Sequence, residues 1–97
     1  MITIGTACGV GMGSSLVLRM YTEDVLKELG VEAKVEAMDA SQAKGAKVDL
    51  LLTSPSLVEV VSGGKAAVKG ISNYIDKSLI RAALIEFFEE KGIPYNE

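Results

Sequence analysis

Apolar residues along this chain follow two rhythms, one alternating and one helical, and the switches between them divide it into short elements. Residues 2–7, ITIGTA, are β-prone and run into a glycine-rich stretch, which predicts a buried first strand. Beyond it Leu18, Tyr21, Val25 and Leu29 recur at helical spacing, with Glu23, Lys27 and Glu28 largely off that stripe. Ser14 or Ser15 can cap the start of this helix, and Gly30 closes it. Residues 31–38, VEAKVEAM, alternate strictly: Val31, Ala33, Val35 and Ala37 face one way, Glu32, Lys34 and Glu36 the other. That is a half-exposed strand at a sheet edge, where charge discourages further pairing. Residues 39–47 are small and polar, and fit a loop or one weak helical turn.

VDLLLTS, residues 48–54, reads as a central buried strand, and the next segment as a short helix beginning near Pro55 and ended by Gly63 and Gly64. AAVKGI, residues 66–71, supplies a fourth strand, and residues 72–77 a turn-rich link. In the last helix Ile80, Leu84, Phe87 and Phe88 form the core stripe, Asp76 or Ser78 the cap, and Gly92 followed by Pro94 the stop. Strands alternating with helices imply right-handed parallel β-α-β units. The expected architecture is α/β, a single domain over residues 1–97 with an open four-stranded parallel sheet in order 2-1-3-4 and helices on both faces. In this Rossmann-like arrangement the glycine-rich loop after strand 1, a candidate phosphate-binding loop, falls at the carboxyl rim where ligands of such sheets gather.

Composition narrows the chemistry. The 97 residues are 48% hydrophobic and 24% charged, with net charge −3 at pH 7. That balance gives no general attraction to nucleic acid or to an anionic membrane. No segment approaches the roughly 20 apolar residues needed to span a bilayer. Met1 starts directly on an apolar run with no secretory pattern, so nothing suggests export, and the expected location is cytoplasmic. A single cysteine forms no internal disulfide, and with no histidine and only scattered carboxylates no metal site is expected; no cofactor is expected either.

That cysteine, Cys8, heads the run CGVGMGSS. Gly9, Gly11 and Gly13 let successive amides turn inward, and the following helix adds unpaired amides and a partial positive charge. Together they make a cradle for a phosphoryl group or another tetrahedral anion, with hydroxyl donors from Ser14 and Ser15. The same donors would lower the pKa of Cys8 below the roughly 8.5 of a free cysteine and favour the nucleophilic thiolate. Other readings stay open. An isolated cysteine also serves as a small buried hydrophobe. A nucleotide site fits less well, because the P-loop lysine is absent and Gly9, Gly11 and Gly13 lack the G-x-G-x-x-G spacing; Glu32 and Glu36 are explained by their alternation. A cysteine phosphatase wants an arginine where Ser14 stands, and Arg19 lies too far into the helix.

CGVGMGSS after an apolar strand, the helix LVLRMYTEDVLKELGV, and the downstream VDLLLTS and VKGISNYIDKSLIRAALIEFF resemble the cytoplasmic B component (EIIB) of the bacterial phosphoenolpyruvate-dependent sugar phosphotransferase system. The resemblance is to the lactose/ascorbate/galactitol-related group, most of all to its L-ascorbate type. It implies that Cys8 accepts a phosphoryl group from a phosphohistidine of the A component and passes it to sugar, L-ascorbate in this type, held by the membrane-embedded C component. It also implies that Gly9, Val10, Gly11, Met12, Gly13, Ser14 and Ser15 form the phosphate loop. The imidazole of the relay then belongs to a partner, and the chain is expected to be a monomer meeting both partners transiently. Alternatives are the same relay for galactitol or mannitol, and a noncovalent phosphoanion-binding or regulatory module. Met12 is read either as a gap filler or as part of an apolar docking surface. Thr53 and Ser54 either face the same rim or cap the next helix; Tyr74 either covers a sheet end or touches a partner. Phe87 and Phe88 are core, and Lys65, Lys69 and Lys77 are solvated surface charges.

Overall fold

The computed structural model describes the backbone of residues 2–8, 13–43, 45–61, 64 and 66–95, with the side chains of all of these except residues 8, 13–15 and 40. Four parallel strands, β1 (Ile2–Cys8), β2 (Ala33–Asp39), β3 (Leu50–Thr53) and β4 (Ala67–Gly70), lie in the order β2-β1-β3-β4. The helices are α1 (Gly13–Leu29), α2 (Ala40–Ala43), α3 (Val58–Val61) and α4 (Lys77–Lys91), and a 3₁₀ turn, Pro55–Leu57, leads into α3. Strand order and helices on both faces match the expected α/β sheet. The two faces are unequal, however. α1 and α4 pack on the larger core, with Ile4, Val35, Leu50 and Leu52 from the strands, whereas on the other face the buried apolar residues, among those described, are Ala7, Met38, Ala43, Leu51 and Val61.

The helical periodicity explains the larger core. In α1 Leu18, Val25, Leu26 and Leu29 are buried, with Thr22 among them returning its hydroxyl to the Leu18 carbonyl at 2.7 Å. Tyr21, assigned to that stripe from spacing, is half-buried beside it. In α4 the buried residues are Ile80, Leu84, Phe87 and Phe88, as the spacing predicts, and the two rings meet at 6.0 Å between centroids. Both long helices end on a left-handed glycine, Gly30 at φ 69° and Gly92 at φ 70°. In each case the next residue's N–H reaches back five positions, Val31 to the Leu26 carbonyl and Ile93 to that of Phe88.

Three expectations change. Strand β2 begins at Ala33 because the Val31 N–H is engaged in closing α1. Its polar face is covered at the carboxyl end, where Met38, on that face by count, is buried with Ala43 and Leu51 in the smaller core. Lys69 is no solvated charge. Its side chain is 16% exposed and sits between Glu86 at 2.6 Å and Glu90 at 3.1 Å, tying β4 to α4. Lys77 reaches across to α1, pairing with Asp24 at 3.4 Å and lying 5.7 Å over the Tyr21 ring, while Arg81 pairs with Glu28 at 3.5 Å. Lys65 lies outside the described residues.

The Glu86 hydrogen bond, with help from Glu90 and against the cost of burial, raises the Lys69 pKa above its ordinary 10.5. A raised folded-state pKa means that this stabilisation is complete below 10.5 and is lost as pH rises through the folded value. Lys69→Met should therefore cost up to about 1 kcal/mol at neutral pH, and its deficit should shrink in alkali, read by chemical denaturation across that range. Asp76 caps α4 by accepting from the Ser78 hydroxyl and, at 3.0 Å, from its N–H, contacts that hold its carboxyl below 3.8. Stability from this cap is present above 3.8 and lost as pH falls through the folded value, so Asp76→Asn should flatten the acid limb of the thermal midpoint against pH.

Candidate functional site

The sheet topology fixes where the cysteine stretch leaves the core. β1 is central, paired with β2 from Ile2↔Ala33 to Cys8↔Asp39 and with β3 from Ile4↔Leu50 to Thr6↔Leu52. Cys8 is thus the last residue of the central strand, at the carboxyl rim. A slip of one residue would exchange the faces of every β1 side chain, so the register is pinned by Ile4 in one core and Ala7 in the other.

Side chains of β3 and its approach reinforce that register at both ends. At the amino end the Thr3 N–H donates to the Asp49 carboxylate at 2.8 Å, while the Asp49 N–H donates to the Thr3 carbonyl at 2.8 Å. At the carboxyl end the hydroxyl of Thr53, wholly buried, donates to the Ala7 carbonyl at 2.9 Å. Thr53 thus faces neither the solvent of the rim nor the next helix. Ser54 holds the cap position of the following 3₁₀ turn but makes no side-chain cap bond there, and its hydroxyl lies 3.1 Å from that of Ser56.

α1 begins only five positions after Cys8, at Gly13. Ser14 and Ser15 therefore lie inside its first turn, one step further than a capping role requires, because the glycine itself enters the helix. The N–H groups of that turn have no intrahelical acceptor, and the turn carries no acidic residue to neutralise the positive end of the dipole. A 17-residue helix with this start favours an anion on the rim beside β1. Gly9, Val10, Gly11 and Met12 lie outside the described residues, as do the side chains of Cys8, Ser14 and Ser15. The reading of Met12 as gap filler or docking residue falls there too.

Three features of this rim escape the sequence pattern. Asp39 belongs to β2, directly across from Cys8 in register, and its side chain is exposed. Leu16, Val17 and Met20, on the first two turns of α1, are 46%, 37% and 61% exposed, an apolar surface beside the anion-favouring end. Their position off the buried stripe was the available signal. Arg19 pairs with Glu23 at 3.3 Å along α1, an exposed i,i+4 contact. Tyr74 packs against the larger core and so covers it. Among the described residues no cluster of three metal-ligating side chains occurs, and no helix is long and apolar enough to cross a membrane.

Known proteins share both sequence and fold with this chain. It is 40% identical over 81 residues to the ascorbate-specific PTS system EIIB component of Mycoplasma pneumoniae, covering 80% of this chain and 85% of that protein. In structure it resembles the lactose-specific IIB component domain of the phosphoenolpyruvate:carbohydrate phosphotransferase system from Streptococcus pneumoniae, with a TM-score of 0.57. That likeness covers 90% of this chain and 97% of the other at 14% identity, and it speaks to the fold alone. Residues 3–86 match the family of lactose/cellobiose-specific IIB subunits of the PTS, and the chain belongs to that family.

Proposed function

We propose that the chain is a single-domain phosphocarrier in which Cys8 accepts a phosphoryl group from a phosphohistidine of a cognate A component. The Cys8 thiolate attacks phosphorus, the P–N bond breaks, and its electron pair returns to the imidazole as an S–P bond forms. In the second half-reaction a sugar hydroxyl held by the membrane C component attacks the same phosphorus and gives its proton to a base of that component or to solvent, while the S–P bond breaks and its electron pair returns to sulfur as the thiolate. The observation that carries this reading is the place of Cys8, at the end of the central strand, with the unpaired first turn of α1 beginning at Gly13.

The residues suit a relay. Amides of Gly9, Val10, Gly11, Met12 and Gly13, with those and the hydroxyls of Ser14 and Ser15, hold the three outer oxygens while the group passes in line between partners. Residues 8–15 contain no lysine or arginine, so the phosphoryl group is held by dipoles and leaves readily. Transfer takes place on the cytoplasmic side of the membrane, where the protein meets A and C as a monomer, and Leu16, Val17 and Met20 give the docking partner apolar surface beside the cysteine. L-ascorbate is the proposed sugar, on the strength of the Mycoplasma pneumoniae relative.

The test is incubation with phosphoenolpyruvate, the general phosphotransferase proteins and an ascorbate-type A component, followed by peptide mapping under conditions that preserve thiophosphate. Label should appear on the Cys8 peptide and disappear in Cys8→Ser, whose hydroxyl supplies no ready anion. Label retained in Cys8→Ser would remove the cysteine from the relay. Chase into membranes bearing C components of ascorbate, galactitol and mannitol type should favour L-ascorbate.

A further inference from the structure

Thr53 ends a run of three leucines in β3 and is wholly buried with them. A valine would fill such a position with nearly the same shape, and a buried hydroxyl costs free energy unless it is bonded. Here it is bonded to the backbone of β1. Thr53 donates to the Ala7 carbonyl at 2.9 Å, one residue beyond the last β1–β3 pair, Thr6↔Leu52. The Ala7 carbonyl and the Cys8 N–H are opposite ends of a single peptide plane, and the described chain contains no cis peptide. Fixing one end of a rigid trans plane fixes the other.

Building on the proposed role of Cys8, we propose that Thr53 is a positioning residue for phosphoryl transfer. Its hydroxyl orients the Ala7–Cys8 peptide and so sets the direction in which the chain leaves β1 and presents Cys8 to the phosphoryl donor. Ladder pairing between β1 and β3 has stopped by this point, so the side chain holds the carbonyl where a further ladder bond would otherwise lie. In-line transfer is sensitive to such placement, since a shift of about 1 Å in a reacting group can cost on the order of a hundredfold in rate.

The test compares Thr53→Val, which removes the hydroxyl, with Thr53→Ser, which keeps it. Two readouts serve: single-turnover transfer from phosphorylated A component, and the pH profile of Cys8 alkylation by iodoacetamide. Thr53→Val should transfer about tenfold or more slowly at saturating donor, with half-saturation moved by less than about twofold, because orientation and not docking is lost. Its alkylation midpoint should move while that of Thr53→Ser stays with the parent, and Thr53→Ser should transfer within about threefold of the parent. A folded Thr53→Val with parental rate and profile overturns the proposal. So does a folded Thr53→Ser that transfers about tenfold or more slowly than the parent, which would assign the effect to the methyl group; because it is scored against the parent, this arm decides even where Thr53→Val does not fold. Absence of label from the parent's Cys8 would remove the relay reading by itself, and the alkylation profiles would still decide whether Thr53 positions the cysteine.

Discussion

Two side-chain hydrogen bonds hold the central strand to its neighbour, Asp49 accepting from the Thr3 N–H at one end and Thr53 donating to the Ala7 carbonyl at the other. Between them the ladder of β1 and β3 runs over only three register pairs. The longer pairing with β2 carries the strand on to Cys8, but β2 is the sheet's edge, with no strand beyond it among the described residues. Position of the cysteine thus depends on β3, whose four residues are all buried. Leaving the Ala7 carbonyl without its donor would cost about 1–3 kcal/mol, a sizeable part of the roughly 5–15 kcal/mol that holds a small domain together.

The unequal faces of the sheet divide the work. α1 and α4 bury the large apolar residues on one face and are laced together by Lys77 and Arg81 with Asp24 and Glu28. Because that packing holds the body of α1, its first turn can remain unneutralised at the rim and be available to an anion. Phosphotransfer to sugar is the general role of this family, and a protein in such a relay must release its cargo. Dipoles that hold phosphate without a fixed cation suit that requirement.

Much of the fold was legible because it is written in periodicity. The Ile80–Leu84–Phe87–Phe88 stripe and the Gly92 stop follow from local spacing and turn chemistry, and the order 2-1-3-4 is the one expected of strands that alternate with helices in parallel β-α-β units. What periodicity does not carry is the partner of a polar side chain far along the chain. Lys69 meets Glu86 and Glu90 only after β4 and α4 dock, and Thr53 finds Ala7 46 residues away. Met38 reads as exposed by alternation, yet the second face of the sheet buries it beside Leu51. Cys8 was legible as a candidate from its glycine-rich context and its place where the first strand ends; the serines' places inside the first turn were not, because a glycine seldom opens a helix.

The proposed relay makes a phosphorus–sulfur bond at Cys8, and phosphorus NMR of the enzymatically phosphorylated chain reads that bond. The sequence contains no histidine, so the phosphoryl acceptors that matter here are the Cys8 sulfur and hydroxyl oxygens such as those of Ser14 and Ser15. A resonance in the thiophosphate region that vanishes when excess unphosphorylated A component is added is the predicted result, since the relay runs in both directions. A stable oxygen-ester phosphate resonance, unmoved by the A component, would contradict it.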